Sequence, residues 1–300
     1  MAAITIVIPA APGIRLEALD SAAQQRPAVE TIVETGRNPS TNRNRGAARV
    51  PTPLVAFVNA HTVLHKDWAA QVESFFAAHP EISLAGGPQL TSPDEPYFAR
   101  LSGDALTSPF CTGKMSQRYQ PGALNLDADE TSLTSANLIC RREVFAKVQF
   151  DETLYPGEDP KFITDARAAG FKVACVPDIV VYNRRRTTLD ALWKQISSYG
   201  ATRVQKETLG ELARQPAFFV PALLVGYLFV LPFLLAWSHW YILPLAAYLL
   251  LAGFFAVAKA MECGRVEYPL TLPPVFLWIH LAYGAGFLVR FLRGGWAKKN

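Results

Sequence analysis

The chain predicts an α/β domain followed by an all-α membrane tail. Three observations carry that fold class. The N-terminal part alternates a short apolar run, an amphipathic stretch and a second apolar run, the strand–helix–strand pattern of a parallel sheet covered by helices. Composition then shifts along the 300 residues: the chain to about Arg214 has a soluble make-up, and after Pro216 it is mostly apolar. Within the apolar part, stretches 218–237 and 241–258 are each long enough to span a hydrocarbon core of roughly 30 Å.

Residues 4–8 form the first strand, which Pro9 ends. Residues 16–25 follow as a helix, with Leu16, Leu19 and Ala22 at helical spacing, and 29–33 as the second strand. In open α/β sheets ligands collect at the carboxyl ends of strands, here Pro9-Ala10-Ala11 and Glu34-Thr35-Gly36. Ser40 or Thr41 can cap the next helix. Residues 54–58 are a central strand, 68–79 a helix and 82–85 a further strand. The stretch 91–131 is rich in Ser, Pro, Gly and Asp with little periodicity, and reads as a long loop. Gly157-Glu158-Asp159 opens an amphipathic run, which puts two carboxylates at a helix N-terminus. There the macrodipole favours ionised oxygens, and an ionised oxygen can accept a proton. The same pair can equally be ordinary first-turn acids. Residues 189–203 form an amphipathic helix just ahead of the apolar part, suited to a lipid surface. The expected organisation is therefore a domain over 1–186, an interfacial region over 187–214 and a transmembrane region over 215–300.

A net charge of +4 makes no case for nucleic acid; beside a membrane tail, surplus Lys and Arg suit anionic headgroups. Cys111, Cys140, Cys175 and Cys263 contain no close pair, which supports neither a zinc site nor a disulfide framework. Met1-Ala2-Ala3 runs straight into the first strand with no export signal, so the first domain is expected to face the cytoplasm from a bacterial-type inner membrane. Trp237 and Trp240 flank Ser238-His239 as interfacial anchors of a hairpin, and Lys259 and Arg265 place the following loop inside. Stretch 272–289 holds Pro273, Pro274, His280, Gly284 and Gly286. Its length points to a third crossing, which would put Arg290, Arg293, Lys298 and Lys299 outside, against the positive-inside tendency; a re-entrant segment would keep them inside.

Between positions 134 and 182 the chain reads Thr134-Ser135-Ala136-Asn137, Arg141-Arg142-Glu143-Val144-Phe145, Phe150-Asp151-Glu152, Gly157-Glu158-Asp159, Ala169-Gly170-Phe171 and Val176-Pro177-Asp178. In that order these segments resemble the family 2 glycosyltransferases, whose GT-A fold is Rossmann-like with a mostly parallel mixed sheet. Gln195, Tyr199, Gly200 and Arg203 resemble a segment of the membrane-tailed members, without the Gln-x-x-Arg-Trp of processive polymer synthases. The resemblance implies inverting transfer of one sugar per encounter from a nucleotide-diphosphate donor, expected to be UDP-linked, to a lipid-linked or membrane-proximal acceptor. Asp159 would be the general base, with Glu158 positioning the acceptor or tuning Asp159. Pro9, Glu34, Arg43, Asn59 and His61 would face the nucleotide, Glu34 standing where the family has Asp. Asn137, Arg184 and Arg203 would serve the acceptor, the two arginines through a lipid phosphate or as headgroup anchors only.

The chain departs from the family at its expected metal positions. The Asp-x-Asp motif falls on Asn59-Ala60-His61, so both aspartates are replaced, and a position that often holds His is Asn183, followed by Arg184-Arg185-Arg186. A hard cation such as Mg²⁺ prefers carboxylate oxygens, while His61 and Asn59 are acceptable to Mn²⁺. A divalent cation is thus weakened as a cofactor. Either arginines neutralise the leaving diphosphate, or the chain is a catalytically impaired relative that binds sugar nucleotides or scaffolds a partner transferase. A transporter fits poorly, since the spans hold no ionisable group beyond His239 and His280.

Overall fold

A computed structural model describes residues 3–154, 156–206, 209–213 and 215–294. The chain divides into two compact units, Met1–Glu95 with Lys114–Arg185, and Pro96–Gly113 with Arg186–Asn300.

The elements run β1 (Ile4–Ala10), α1 (Glu17–Ala22), β2 (Glu30–Thr35), α2 (Pro39–Ala48), β3 (Leu54–Phe57), β4 (Thr62–Leu64), α3 (Trp68–Ala78), β5 (Leu84–Gly86) and β6 (Gln89–Thr91). Then come α4 (Tyr97–Thr107) and α5 (Pro109–Thr112) of the second unit. The first unit resumes with β7 (Leu138–Arg141), α6 (Glu158–Ala168), β8 (Val173–Cys175) and β9 (Val181–Asn183). Its main sheet has the order β2-β1-β3-β7-β5-β8, parallel except that β7 runs antiparallel to both neighbours. A small three-stranded sheet has the order β4-β9-β6, with β9 antiparallel to β4 and parallel to β6.

Strand alternation sorts the core into two layers. Ile4, Ile6, Ile8 and Ala56 pack with Trp68, Val72 and Phe76 of α3. Val7, Val55 and Phe57 pack with Phe150 and with Phe162 and Ile163 of α6, the Phe150 and Phe162 rings stacking at 4.2 Å. β1 runs on through Pro9 rather than ending at it. Val58 N donates to Val7 O, so odd positions of β1 face β3, but β3 pairs with β1 only as far as Val7. The missing N–H of Pro9 therefore faces a side where the ladder has stopped. Helix α2 is capped by Asn38, whose Oδ1 accepts from Ser40 N and Thr41 N at 2.9 and 3.3 Å, with Pro39 in the first turn. Ser40 and Thr41 are thus inside the helix.

The second unit adds α7 (Leu189–Lys206), α8 (Leu209–Ala213), α9 (Val220–Trp237), α10 (Leu243–Cys263) and α11 (Tyr268–Leu292). Three helical segments, Pro216–Trp237, His239–Cys263 and Tyr268–Leu292, are long and apolar enough to cross a membrane. α11 is the hub, packed by α4, α7, α9 and α10. The stretch read as a loop supplies α4, which buries Ala99, Leu101, Ala105 and Leu106. Tyr268 Oη donates to Asp104 of α4. Phe110 sits among the rings of Tyr248, Phe255, Phe276 and His280, and its carbonyl lies 3.1 Å from His280 Nε2.

Two glycines set how closely α7 and α11 approach. A Cβ on Gly286 would overlap the Ser197 carbonyl, and one on Gly200 would overlap the Tyr283 carbonyl. Backbone on both sides leaves nothing to swing away. Gly286→Val is expected to cost about 1–3 kcal/mol, seen as a lower unfolding midpoint in detergent. Gly253→Ala on α10, where a Cβ meets nothing, should leave that midpoint unchanged or raise it.

Candidate active site

The site begins with a clamp between α2 and the Phe150-Asp151-Glu152 turn. Asn44 Nδ2 donates to Phe150 O at 2.9 Å and its Oδ1 accepts from Phe150 N at 2.9 Å. Asn38 Nδ2 donates to Glu152 O at 2.7 Å, and Thr41 Oγ1 and Asn44 Nδ2 donate to the Glu152 carboxylate at 2.7 and 2.9 Å. This fixes α2 against the segment leading to α6. Gly157 then takes φ +115°, a left-handed turn that L side chains rarely adopt, and starts α6. Glu158 and Asp159 emerge in its first turn, at the positive end of the macrodipole.

Arg43 reaches both from α2. Its Nη1 lies 2.9 Å from Glu158 Oε1 and 3.6 Å from Asp159 Oδ1. Its Nη2 donates to Asn59 Oδ1 at 3.4 Å, and its guanidinium lies 5.3 Å from the centre of the Phe150 ring. The Arg43 and Glu158 side chains are each 5% exposed, and Asp159 is 21% exposed. Ser135 Oγ donates to Asp159 Oδ1 at 2.5 Å. Both contacts fall on Oδ1 and neither on Oδ2. The Arg43 Nε is buried and has no hydrogen-bond partner among the described residues.

Burial pushes the Glu158 carboxyl up to about 7; the neighbouring Asp159 charge adds to the rise and Arg43 opposes it. A folded value above the ordinary 4.5 means the native state binds the extra proton between the two. The stability from Glu158 is full below 4.5 and lost as pH rises through 7. The unfolding midpoint should therefore fall between about pH 5 and about pH 8, and Glu158→Gln should remove most of that slope. An equal slope in the variant would reject this origin.

Other sequence-predicted residues are placed as follows. Pro9 is a buried strand residue paired with Glu34 in the β1–β2 register. Glu34 is buried, with Oε1 2.5 Å from Arg49 Nη1 and Oε2 3.6 Å from Arg45 Nε. Its acceptor oxygens already serve two arginines. Asn137 is buried, accepting from Trp68 Nε1 at 3.0 Å and donating to Ile179 O at 2.6 Å, so it ties α3 to the segment between β8 and β9. His61 is exposed. Arg184 grips Glu17 with Nε 2.8 Å from Oε2 and Nη2 2.7 Å from Oε1. Arg203, in the second unit, lies 3.8 Å over the Phe218 ring. Of the tail cations, Lys298 and Lys299 lie outside the described residues. Sequence reasoning passed over Ser135 and Glu17; Ser135 stood within the quoted segment and needed only its reach to Asp159.

Among the described residues no three His, Cys, Asp or Glu side chains gather to hold a metal ion. Asn59 offers its Oδ1 to Arg43. Asn183 accepts from Thr62 Oγ1 at 2.5 Å and donates to Gln89 Oε1 at 2.7 Å, which uses both ends of its amide. Glu17, beside His61, is matched by Arg184. Neutral amides, one imidazole and one neutralised carboxylate do not fit a hard divalent cation.

The glycosyl transferase family group 2 model matches residues 54–289, and the chain belongs to that family. Its mixed, mostly parallel sheet is the GT-A fold. The mannosyltransferase PcManGT from Pyrobaculum calidifontis, solved in complex with GDP-Man and Mn²⁺, aligns over 97% of this chain and 87% of that one, with a TM-score of 0.55 at 12% identity. S. aureus TarS 1–349 in complex with UDP aligns over 99% and 93%, with a TM-score of 0.43 at 12% identity. Pre-mycofactocin glycosyltransferases of Mycobacterium tuberculosis are 25% identical over 167 residues, 55% of this chain and 34% of theirs. The chain thus spans about a third of the length of the curated relatives it matches.

Proposed function

We propose that this protein is a membrane-anchored inverting glycosyltransferase that moves a sugar from a nucleotide-diphosphate donor, a UDP-sugar first, to a hydroxyl of a lipid-linked or membrane-proximal acceptor. The observation that carries the reading is the half-open Asp159 carboxylate in the first turn of α6, held on one oxygen by Ser135 and Arg43. The acceptor oxygen attacks the anomeric carbon as its proton passes to Asp159 Oδ2. The bond from that carbon to the diphosphate oxygen breaks, and its electron pair leaves with the nucleoside diphosphate. One in-line displacement inverts the anomeric centre. Arg43, itself bound by Glu158, holds Asp159 in place, and neither takes the proton.

Three apolar helices support a membrane-proximal acceptor, and a solved structure of the same fold with bound GDP-Man supports a nucleotide-sugar donor. On this reading the first unit faces the cytoplasm, where nucleotide sugars are made. The test is transfer from radiolabelled UDP- and GDP-sugars to a membrane lipid extract by the purified full chain. A labelled lipid with inverted anomeric configuration is expected. Donor binding without transfer or hydrolysis on any extract would favour a scaffold role, which the replaced Asn59 and His61 motivate, and would overturn the proposal.

A further inference from the structure

We propose that the chain binds the diphosphate of its sugar nucleotide with its own side chains, the Arg184 and Arg15 guanidinium groups and the His61 imidazole, and needs no divalent metal for that task. The inference rests on the transferase function above and concerns the same site. Three connections bring these residues together. β3 runs into Asn59-Ala60-His61, and Ala18 N donates to Ala60 O at 3.0 Å, which ties the start of α1 to that segment. The β4–β9 ladder pairs Thr62 with Asn183, so His61 and Arg184 stand opposite one another at its end. Arg184 then grips Glu17, the first residue of α1, through two nitrogens.

Glu17 reports the local field. Its carboxyl lies below the ordinary carboxylate range, first through the Arg184 hydrogen bond, with the charges of Arg184, Arg15 and His61 adding. Arg184 touches this carboxylate, and the Arg15 guanidinium and the His61 imidazole lie near enough to act on its charge, at the carboxyl ends of β1 and β3 where ligands of such sheets collect. The Arg184 side chain is 60% exposed. The Glu17 side chain is 14% exposed, so the Arg184 end of the pair is the one open to water, and the guanidinium can turn from Glu17 toward a phosphate. Its planar fork matches phosphate oxygens better than a point charge does. Glu17 acts as a placeholder that keeps Arg184 oriented before the donor arrives. When the sugar leaves, the electron pair of the broken C–O bond comes to rest on a diphosphate oxygen, and a guanidinium at that oxygen stabilises it. That is the task a metal performs where the family's two aspartates are present, and here those positions are Asn59 and His61.

The test is a calorimetric titration of UDP, GDP and dTDP into the detergent-solubilised full chain, in EDTA and again with Mn²⁺. One nucleotide should bind in EDTA, with Kd moving by less than about threefold on adding Mn²⁺; Arg184→Ala should weaken it about tenfold, and Glu17→Gln, which frees Arg184, should tighten it. Binding that appears only with Mn²⁺ and is lost in Glu17→Gln would make Glu17 and His61 metal ligands; it would overturn the inference and leave the transferase function standing. Undiminished binding by Arg184→Ala would likewise overturn it. Failure of every nucleotide in both conditions would overturn the inference together with the donor assignment beneath it.

Discussion

Asp159→Asn abolishes sugar transfer: kcat falls by about a thousandfold or more, toward the upper end of what a positioned general base supplies, while the protein stays folded. The amide has the carboxylate's size and can still accept the Ser135 hydroxyl bond at Oδ1. Arg43 keeps its shorter contact, to Glu158 at 2.9 Å. What is lost is the basic oxygen. A second signature separates this from local damage. The Asp159 charge is one of the causes that raise Glu158, so with it gone the Glu158-linked loss of stability should move to lower pH. Transfer assays and thermal unfolding across pH read the two effects independently. A variant that transfers at the wild-type rate would remove Asp159 from the chemistry.

The sheet and the turn that opens α6 were legible because their signals are local. Short apolar runs separated by amphipathic stretches give β1, α1, β2 and β3 within a few residues of where they stand. A glycine before two acids announces the start of α6. What escaped depends on partners far away in sequence. Residues 91–131 read as a loop because Ser and Pro break the pattern, yet α4 forms there and joins the second unit through Asp104 and Tyr268. The partners of Glu34 at its strand end were not legible: Arg45 on the following helix and Arg49 at that helix's C-cap both reach its carboxylate. The bonds of Asn137 to Trp68 Nε1 and Ile179 O were not legible either. In each case a polar side chain spent its hydrogen bonds on a neighbour that only the fold brings near.

Arg43→Met should cost about 3–5 kcal/mol of stability, the usual penalty for removing one partner of a buried ion pair, and should also abolish transfer. Arg43 is the cation facing Glu158 and Asp159, and both it and Glu158 are almost wholly shielded from water. Without it Glu158 must take up a proton, because burial and the adjacent Asp159 charge already favour the neutral form. The guanidinium also covers the Phe150 ring, which stacks on Phe162 in the core below α6. The double variant Arg43→Met with Glu158→Gln tells the two roles apart. It replaces a buried charged pair by neutral groups of similar size, a change that is often close to neutral for stability, so most of the lost unfolding midpoint should return. Transfer should not return, because Asp159 still lacks the cation 3.6 Å from its Oδ1. Recovery of stability and transfer together would mean that Arg43 acts only by holding the fold.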